Sequence, residues 1–189
     1  VFAQLNYMRR QSLGVRTDRI LVVKFPGPTE GMKIKMEAMR KAIRKLPLVS
    51  KVTCSGSVPG EEVAMFLSNR RTHDALKQNR LYEMLSCDPD YMDAYGLELV
   101  AGRGFSEDYG DDVNKLVINE TAARTLGYTD YESVIGEEIS VETIEEPMQV
   151  IGVVKDYHQQ ALNRNYTPIM LFHKDKIDWI PQRYISIVM

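Results

Sequence analysis

Ile20-Leu-Val-Val-Lys-Phe25 is the stretch from which the fold of this chain can be argued first. It is a mostly apolar run rich in β-branched residues, which is typical of a buried strand, and Pro26-Gly27-Pro28 ends it. Val49–Ser57 contains alternating apolar and polar residues and reaches a turn at Val58-Pro59-Gly60, so we expect a second strand there. Because a helical pattern lies between the two, the chain is predicted to begin with a β-α-β unit.

The helix of this unit is predicted from the spacing of its apolar residues. Thr29 is the expected N-cap, and Pro47 is expected to stop the helix. One face carries Met32, Met36, Met39, Ile43 and Leu46. The other face carries Lys33, Lys35, Arg40, Lys41, Arg44 and Lys45. A basic helix face can bind phosphate or lipid headgroups, but we favour a solvated face with pairs such as Glu37 and Lys41.

Further elements follow from similar patterns. Residues 2–13 carry apolar side chains at helical spacing and predict a short amphipathic helix that Gly14 ends. Tyr91–Tyr95 predicts a helical turn, and a helix capped by Asn119 is expected to end near Gly127. Strands are predicted at Arg80–Cys87, Leu116–Ile118, Ile139–Val141, Met148–Val154, Pro168–His173 and Tyr184–Met189.

Composition and charge exclude several function classes. The 189 residues are 44% hydrophobic and 26% charged, close to the globular average, so one large or two small packed domains are expected. The 24 basic and 26 acidic residues leave a net charge of -2, which gives no overall field to attract nucleic acid. No stretch approaches the roughly 20 apolar residues of a membrane helix. We interpret both ends, Val1 and Met189, as cut points in a longer protein.

The two cysteines are open to two interpretations. Cys54 and Cys87 could form one disulfide in an oxidising compartment, or they could be two small buried hydrophobic residues. We predict free thiols.

No residue pattern predicts catalysis, a cofactor or a metal. His73, His158 and His173 lie far apart, and none belongs to a zinc-binding motif. Asp156-Tyr157-His158 places an acid and an imidazole near a strand end, but adjacent polar loop residues are common. Gly102-Arg103-Gly104-Phe105 lacks the third glycine of a dinucleotide fingerprint. We therefore predict no catalytic, cofactor-binding or metal-binding residues, and neither binding nor hydrolysis of ATP.

A series of short blocks occurs in a fixed order along nearly the whole chain. The blocks are Gln4-Leu5-Asn6-Tyr7-Met8-Arg9, Leu13-Gly14, Val58-Pro59-Gly60, Asp88-Pro89-Asp90-Tyr91-Met92, Gly96–Ser106, Val117–Ala123, Ile135-Gly136 and Val150–Asp156. Their order and spacing resemble the MacB-like periplasmic core domain of MacB/FtsX-type ABC transporter permeases. Glu61–Asn79 is the stretch without a match, and we assign it no element.

The blocks also make physical sense without the family. Gly102, Gly136 and Gly152 suit turns or the close approach of two backbones, since glycine has no Cβ. Arg103 is predicted to be an ion-pair partner rather than a ligand contact. These residues are therefore interpreted as structural.

The resemblance implies an α+β fold like that of MacB periplasmic domains. A β-α-β-based lobe is expected from residues 1–90 and 165–189, with a smaller α/β lobe, residues 91–164, inserted in it. The resemblance also implies that the domain lies on the extracytoplasmic (periplasmic) side of the bacterial cytoplasmic membrane, between the first and second membrane helices of a permease. Hydrophobic spans are therefore expected before Val1 and after Met189, with an ATPase gene adjacent.

The implied function is non-enzymatic: coupling cytoplasmic ATP hydrolysis to substrate export or to a periplasmic partner. The implied partners are the membrane-embedded remainder of the permease, a cytoplasmic ATPase subunit or domain, a second permease copy, and a periplasmic adaptor or cell-envelope partner, with no nucleic acid. Efflux, lipoprotein handling and control of a cell-wall hydrolase stay open. The alternatives are a ligand-sensing extracytoplasmic domain and a free-standing enzyme, the latter motivated by Asp156 and His158.

Overall fold

The computed structural model of the chain describes residues 13–27, 31–63, 65–73, 78–160, 164–176 and 181–189. The predicted amphipathic helix over residues 2–13, except its last residue, and the predicted N-cap Thr29 lie outside these ranges. The described strands are β1 (Ile20–Lys24), β2 (Lys51–Ser55), β3 (Phe66–Arg71), β4 (Arg80–Cys87), β5 (Leu99–Gly102), β6 (Lys115–Asn119), β7 (Glu138–Val141), β8 (Met148–Val154), β9 (Ile169–His173) and β10 (Tyr184–Val188). The α-helices are α1 (Met32–Ile43), α2 (Tyr91–Ala94) and α3 (Glu120–Thr125), and short 3₁₀ helices occur at Asp112–Asn114 and Glu132–Val134.

The predicted β-α-β unit is present, with a third strand between its two strands. β10 pairs antiparallel with β1 on one side and with β2 on the other, so β1 and β2 run parallel with β10 between them. Ile20 lies opposite Val188, and Tyr184 lies opposite Ser55. α1 covers one face of this unit, where Met36 packs with Val52, Cys54, Ile185 and Ile187.

Six of the other strands pair in a closed ring. β4 pairs with β3, β3 with β7, β7 with β8, β8 with β6, β6 with β9, and β9 again with β4. The β4–β9 and β6–β8 pairs are parallel and the other four are antiparallel. β5 pairs antiparallel with residues 152–154 of β8, beyond the two residues of β8 that pair with β7. The described strands thus combine an open three-stranded unit with a small barrel.

Alternate residues of the ring strands form the core of this barrel. The cluster includes Tyr82, Met84, Leu116, Ile118, Ile139, Met148, Val150, Met170 and Phe172, and all are almost fully buried. Asn69 of β3 is the polar member, and its amide nitrogen lies 3.3 Å from the sulfur of Met170 and 3.6 Å from that of Met84. A second cluster on the opposite face of β4, β6 and β9 packs against Tyr91 and Met92 of α2.

Most predicted elements are confirmed. Asn119 caps α3, and its side-chain oxygen accepts a hydrogen bond of 2.9 Å from the Ala122 N–H, as expected for an N-cap. The strands predicted at Arg80–Cys87 and Met148–Val154 have those bounds. The stretch Glu61–Asn79, left without an element, contains β3. The coarse fold prediction, a mixture of α and β structure, is confirmed.

Ile20–Phe25 was predicted to be a buried strand; the strand is present, but it is not buried. β1 lies at the edge of the three-stranded unit and pairs on one side with β10. Leu21 and Val22 are 52% and 39% exposed as a result. The apolar run therefore predicted the strand correctly, but it did not predict that the strand lies at the edge of the sheet.

The predicted faces of α1 also need correction. Met39 and Leu46 are 39% and 54% exposed, whereas Arg40, which was assigned to a solvated basic face, is 4% exposed. The helix begins at Met32 with Gly31 in the N-cap position, and it ends at Ile43, before Pro47. The buried side is centred on Met36 and Arg40, four residues apart, because Arg40 has a buried partner outside the helix. No helix in the described ranges has the length and apolar character needed to cross a membrane.

Candidate functional site

Asp156, the acid considered for catalysis, binds residues at the start of α3 and in its last turn. Its carboxylate accepts hydrogen bonds from the N–H of Thr121 at 2.9 Å and from the Thr121 hydroxyl at 2.8 Å. The Arg124 guanidinium donates to the same carboxylate at 2.5 Å. The Asp156 N–H in turn donates to the Glu120 carboxylate at 2.9 Å. These contacts give Asp156 a structural role at the end of β8.

The three histidines lie in separate environments. The ring of His158 packs on the ring of Tyr166, with their centres 4.6 Å apart. His73 is exposed near Glu138, and His173 meets the edge of Phe105. Among the described residues, no group of three His, Cys, Asp or Glu side chains is placed to hold a metal ion.

Arg103 forms the predicted ion pair. Its two terminal nitrogens donate to the two carboxylate oxygens of Asp112 at 2.8 and 2.7 Å, and its guanidinium lies 4.1 Å from the centre of the Tyr109 ring. Asp112 is 3% exposed and also accepts from the Ser106 N–H at 2.8 Å. The pKa of Asp112 lies below its usual range because these hydrogen bonds and the charge of Arg103 outweigh the effect of burial. Arg103 therefore fixes the loop after β5.

Two of the glycines bring backbones into close contact, as predicted. Gly102 of β5 lies opposite Gly152 of β8. A Cβ on Gly152 would overlap the carbonyl oxygen of Arg103, and one on Gly102 would overlap that of Ile151. Gly102 also has φ +65°, a left-handed conformation that favours glycine. The β5–β8 pairing thus depends on the absence of side chains at both positions.

Both cysteines are free thiols in the structure, and both are buried. Burial raises the pKa of Cys54 to about 12, and it raises the pKa of Cys87 well above its usual value. Neither thiol forms the reactive thiolate at neutral pH.

The feature that the sequence did not predict is a buried ion pair between α1 and the end of β4. Arg40 Nη1 donates to Asp88 Oδ2 at 3.0 Å, and Asp88 is completely buried. The Asp88 carboxylate also accepts from the Thr53 hydroxyl and, at 2.8 Å, from the Cys54 N–H, both on β2. The Asp88 N–H donates back to the Cys54 carbonyl at 3.1 Å. We call this set, Arg40, Thr53, Cys54 and Asp88, the buried junction.

Opposing effects act on the charge of Asp88. Burial has the largest effect and leaves the pKa of Asp88 raised to about 6, although the hydrogen bonds from Thr53 and Cys54 and the charge of Arg40 act to lower it. At pH 8 the carboxylate is therefore ionised and pairs with Arg40. Two exposed pairs extend the junction at the surface, Arg44 with Asp90 and Lys51 with Asp93.

The buried junction lies where the three-stranded unit meets the barrel. β2 and β4 share one residue pair, Ser55 with Cys87, so the ladder between the two parts is minimal. The junction adds contacts among α1, β2 and the end of β4 at this place. A hydrogen bond of 2.7 Å between Tyr95 and Ser186 adds a further link. The arrangement joins α1 and β2 to the end of β4 through buried polar contacts.

Comparisons with known proteins agree with this geometry. A family model described as the MacB-like periplasmic core domain matches residues 3–188. A search of curated proteins gave no match.

Several solved structures are similar. A domain of a protein described as a permease from Porphyromonas gingivalis is 22% identical, with a TM-score of 0.59 over 90% of this chain and 74% of that one. The extracellular domain of the ABC-type transporter YknZ from Gram-positive bacteria is 18% identical, with a TM-score of 0.57 over 88% of this chain and 80% of that one. The periplasmic region of MacB from Actinobacillus actinomycetemcomitans is also 18% identical, with a TM-score of 0.57 over 93% and 76%.

At these identities the structural similarity establishes a shared fold, whereas the family match covers almost every residue. The predicted resemblance is confirmed by that match. The chain belongs to the MacB-like periplasmic core domain family, the periplasmic domains of ABC transporter permeases.

Proposed function

We propose that this chain is a non-enzymatic coupling domain on the extracytoplasmic side of a bacterial cytoplasmic membrane. It passes the effect of cytoplasmic ATP hydrolysis to an exported substrate or to a periplasmic partner. The membrane-embedded remainder of the permease, a cytoplasmic ATPase and a second permease copy are the partners that this function requires. A periplasmic adaptor or cell-envelope protein is the proposed receiver.

The observation that carries the proposal is the position of Ile20 opposite Val188. The outer ends of β1 and β10 are therefore neighbours, and the Met189 N–H donates to the Arg19 carbonyl at 3.0 Å. Membrane helices attached beyond these two ends would act on β1 and β10, and on the N-terminal side they would also act on Tyr95 and His158, which hydrogen-bond to Arg16 and Leu13. Because β10 also pairs with β2 along five residue pairs, such a movement would reach β2 as well.

The buried junction gives the path from β2 to the barrel. Thr53 and Cys54 of β2 bind Asp88 at the end of β4, and β4 belongs to the ring. A displacement of the three-stranded unit is therefore expected to move the barrel with it. We also propose that the domain has two lobes. Residues 1–90 and 165–189 form the first lobe, and residues 91–164 form the second. Hydrogen bonds from β9 to both β4 and β6 link the two segments.

The test is to remove the domain from the full-length permease without disturbing what flanks it. Opposite residues of an antiparallel pair have Cα atoms about 5 Å apart, so a Gly-Ser-Gly linker can replace residues 20–188. We expect this variant to reach the membrane and to keep the basal ATP hydrolysis of its ATPase. It should not restore the phenotype of a strain that lacks the permease gene, because the coupling element is absent.

The matched control is the full-length permease with Gly110→Ala, a change at an open position of the same domain. It should restore the phenotype completely. Restoration by the linker variant, at membrane levels equal to those of the control, would show that the domain is not needed for coupling.

A further inference from the structure

A cavity of about 200 Å³ lies at one end of the barrel, and arginines surround it. Arg70 and Arg71 are the last residues of β3, Arg80 is the first residue of β4, and Arg124 lies in the last turn of α3. Asn69 and Arg80 are opposite each other in the β3–β4 ladder, which brings the two strand ends together. The fold thus gathers four arginines, and no lysine among the described residues, around one space.

The four guanidinium groups differ in what they already bind. Arg124 pairs with Asp156 at 2.5 Å, and Arg71 lies over the ring of Tyr128, 5.6 Å from its centre. Within the described ranges Arg70 and Arg80 form no ion pair with a carboxylate, so no described carboxylate competes for their charges with an anion that enters the cavity.

A second, independent feature of the cavity is the hydroxyl of Tyr82. Tyr82 lines the cavity and is 1% exposed, and its hydroxyl has no hydrogen-bond partner among the described residues. Burial raises the pKa of Tyr82 to about 12, against the opposing effect of Arg80 and Arg71, whose charges act on this hydroxyl. The group therefore stays protonated and can donate. A buried polar group without a partner is rare in native proteins, and a ligand would satisfy it.

We propose that this cavity binds a phosphate group, with Arg70 and Arg80 providing the charge and the Tyr82 hydroxyl donating a hydrogen bond. Arginine is the cation suited to two-point binding of phosphate oxygens, and a phosphate monoester offers three terminal oxygens where a carboxylate offers two. The guanidinium groups of Arg70 and Arg80, together with the Tyr82 hydroxyl, match this larger number of acceptors. The site does not depend on the proposed coupling function.

The phosphate group could come from a soluble phosphate ester or from a lipid headgroup, and the experiment separates the two. The chain is titrated with glycerol 3-phosphate while the NMR signals of the arginine Nε–H groups are followed. In parallel, its binding to phosphatidylcholine vesicles with and without phosphatidic acid is measured by sedimentation. Saturable binding in the first arm assigns a soluble ester, and binding in the second arm alone assigns a lipid headgroup. Either result supports the site if the variants below behave as expected.

The Arg70→Ala/Arg80→Ala variant should bind at least tenfold more weakly, and Tyr82→Phe roughly tenfold more weakly, since each loses hydrogen bonds to a charged group. Tyr82→Phe removes a buried hydroxyl without a partner, so its fold should be intact. The matched control is Lys35→Ala/Lys45→Ala, which removes two positive charges from exposed positions on and just after α1. It should bind like the parent chain.

Three results would overturn the proposal. One is no binding in either arm. Another is equal weakening in the lysine control, which would show nonspecific attraction. The last is equal affinity for acetate, which would show that the cavity does not recognise phosphate.

Discussion

Replacing Asp88 by alanine is expected to lower the free energy of unfolding by about 3–5 kcal/mol, the range found when one partner of a buried ion pair is removed. Arg40 would keep its charge at 4% exposure without its nearest partner at 3.0 Å, while the carboxylates that remain, those of Glu37, Asp90 and Glu107, lie 3.7–3.8 Å away. The Thr53 hydroxyl and the Cys54 N–H would lose their acceptor as well. The loss is measured by urea unfolding at pH 8, above the pKa of about 6 given by burial, so that the parent carboxylate is ionised.

Two further variants show whether the effect belongs to the buried junction. Glu98→Ala removes a carboxylate from an exposed pair with Lys155, and should cost less than about 1 kcal/mol. The double variant Arg40→Met/Asp88→Leu replaces the pair by apolar side chains and should recover much of the loss, because no unpaired charge remains. An Asp88→Ala variant within about 1 kcal/mol of the parent would refute the role given to this pair.

Replacing Gly152 by alanine is expected to cost about 3 kcal/mol, at the upper end of the range for an extra methyl group in a packed region. The new Cβ would overlap the Arg103 carbonyl, which is backbone and can move only if β5 shifts away from β8. The free energy of unfolding from urea titrations gives the size of the effect. A shift of β5 should also change the amide signals of Gly102 and Arg103 in NMR spectra.

Gly110→Ala is the control for this change. Nothing lies within 4 Å of a Cβ at Gly110, so its effect should stay within about 0.5 kcal/mol. Equal stability of the two alanine variants would show that the pairing of β5 with β8 does not depend on the absence of a side chain at Gly152.

Local patterns were sufficient where neighbours in sequence decide the structure. The cap of α3 was predictable because Asn119 and its partner Ala122 lie within one helical turn. Runs of apolar residues identified β4 and β8 because both are buried over most of their length. The sequence predicted that Arg103 forms an ion pair, but it did not predict that Asp112 is the partner.

Long-range contacts explain what the sequence did not predict. Arg40 is buried because Asp88, 48 positions later, satisfies it, and no helical periodicity contains that information. β3 was missed because its sequence, Phe66-Leu-Ser-Asn-Arg-Arg71, has apolar residues only at its start. The sequence did not predict the arginine cavity, because the arginines that line it come from three separate elements, β3, β4 and α3. They meet only when the ring closes.

Labelling of the full-length protein in cells tests most directly whether this domain lies outside the cytoplasmic membrane. Leu48 is 81% exposed, so Leu48→Cys gives a reactive thiol, while the buried Cys54 and Cys87 give little background. Spheroplasts are treated with a maleimide that does not cross the membrane, with the parent protein as the control. We predict that the Leu48→Cys protein is labelled in intact spheroplasts well above the level of the parent. Labelling of Leu48→Cys only after the membrane is permeabilised would place the domain in the cytoplasm and contradict the coupling function.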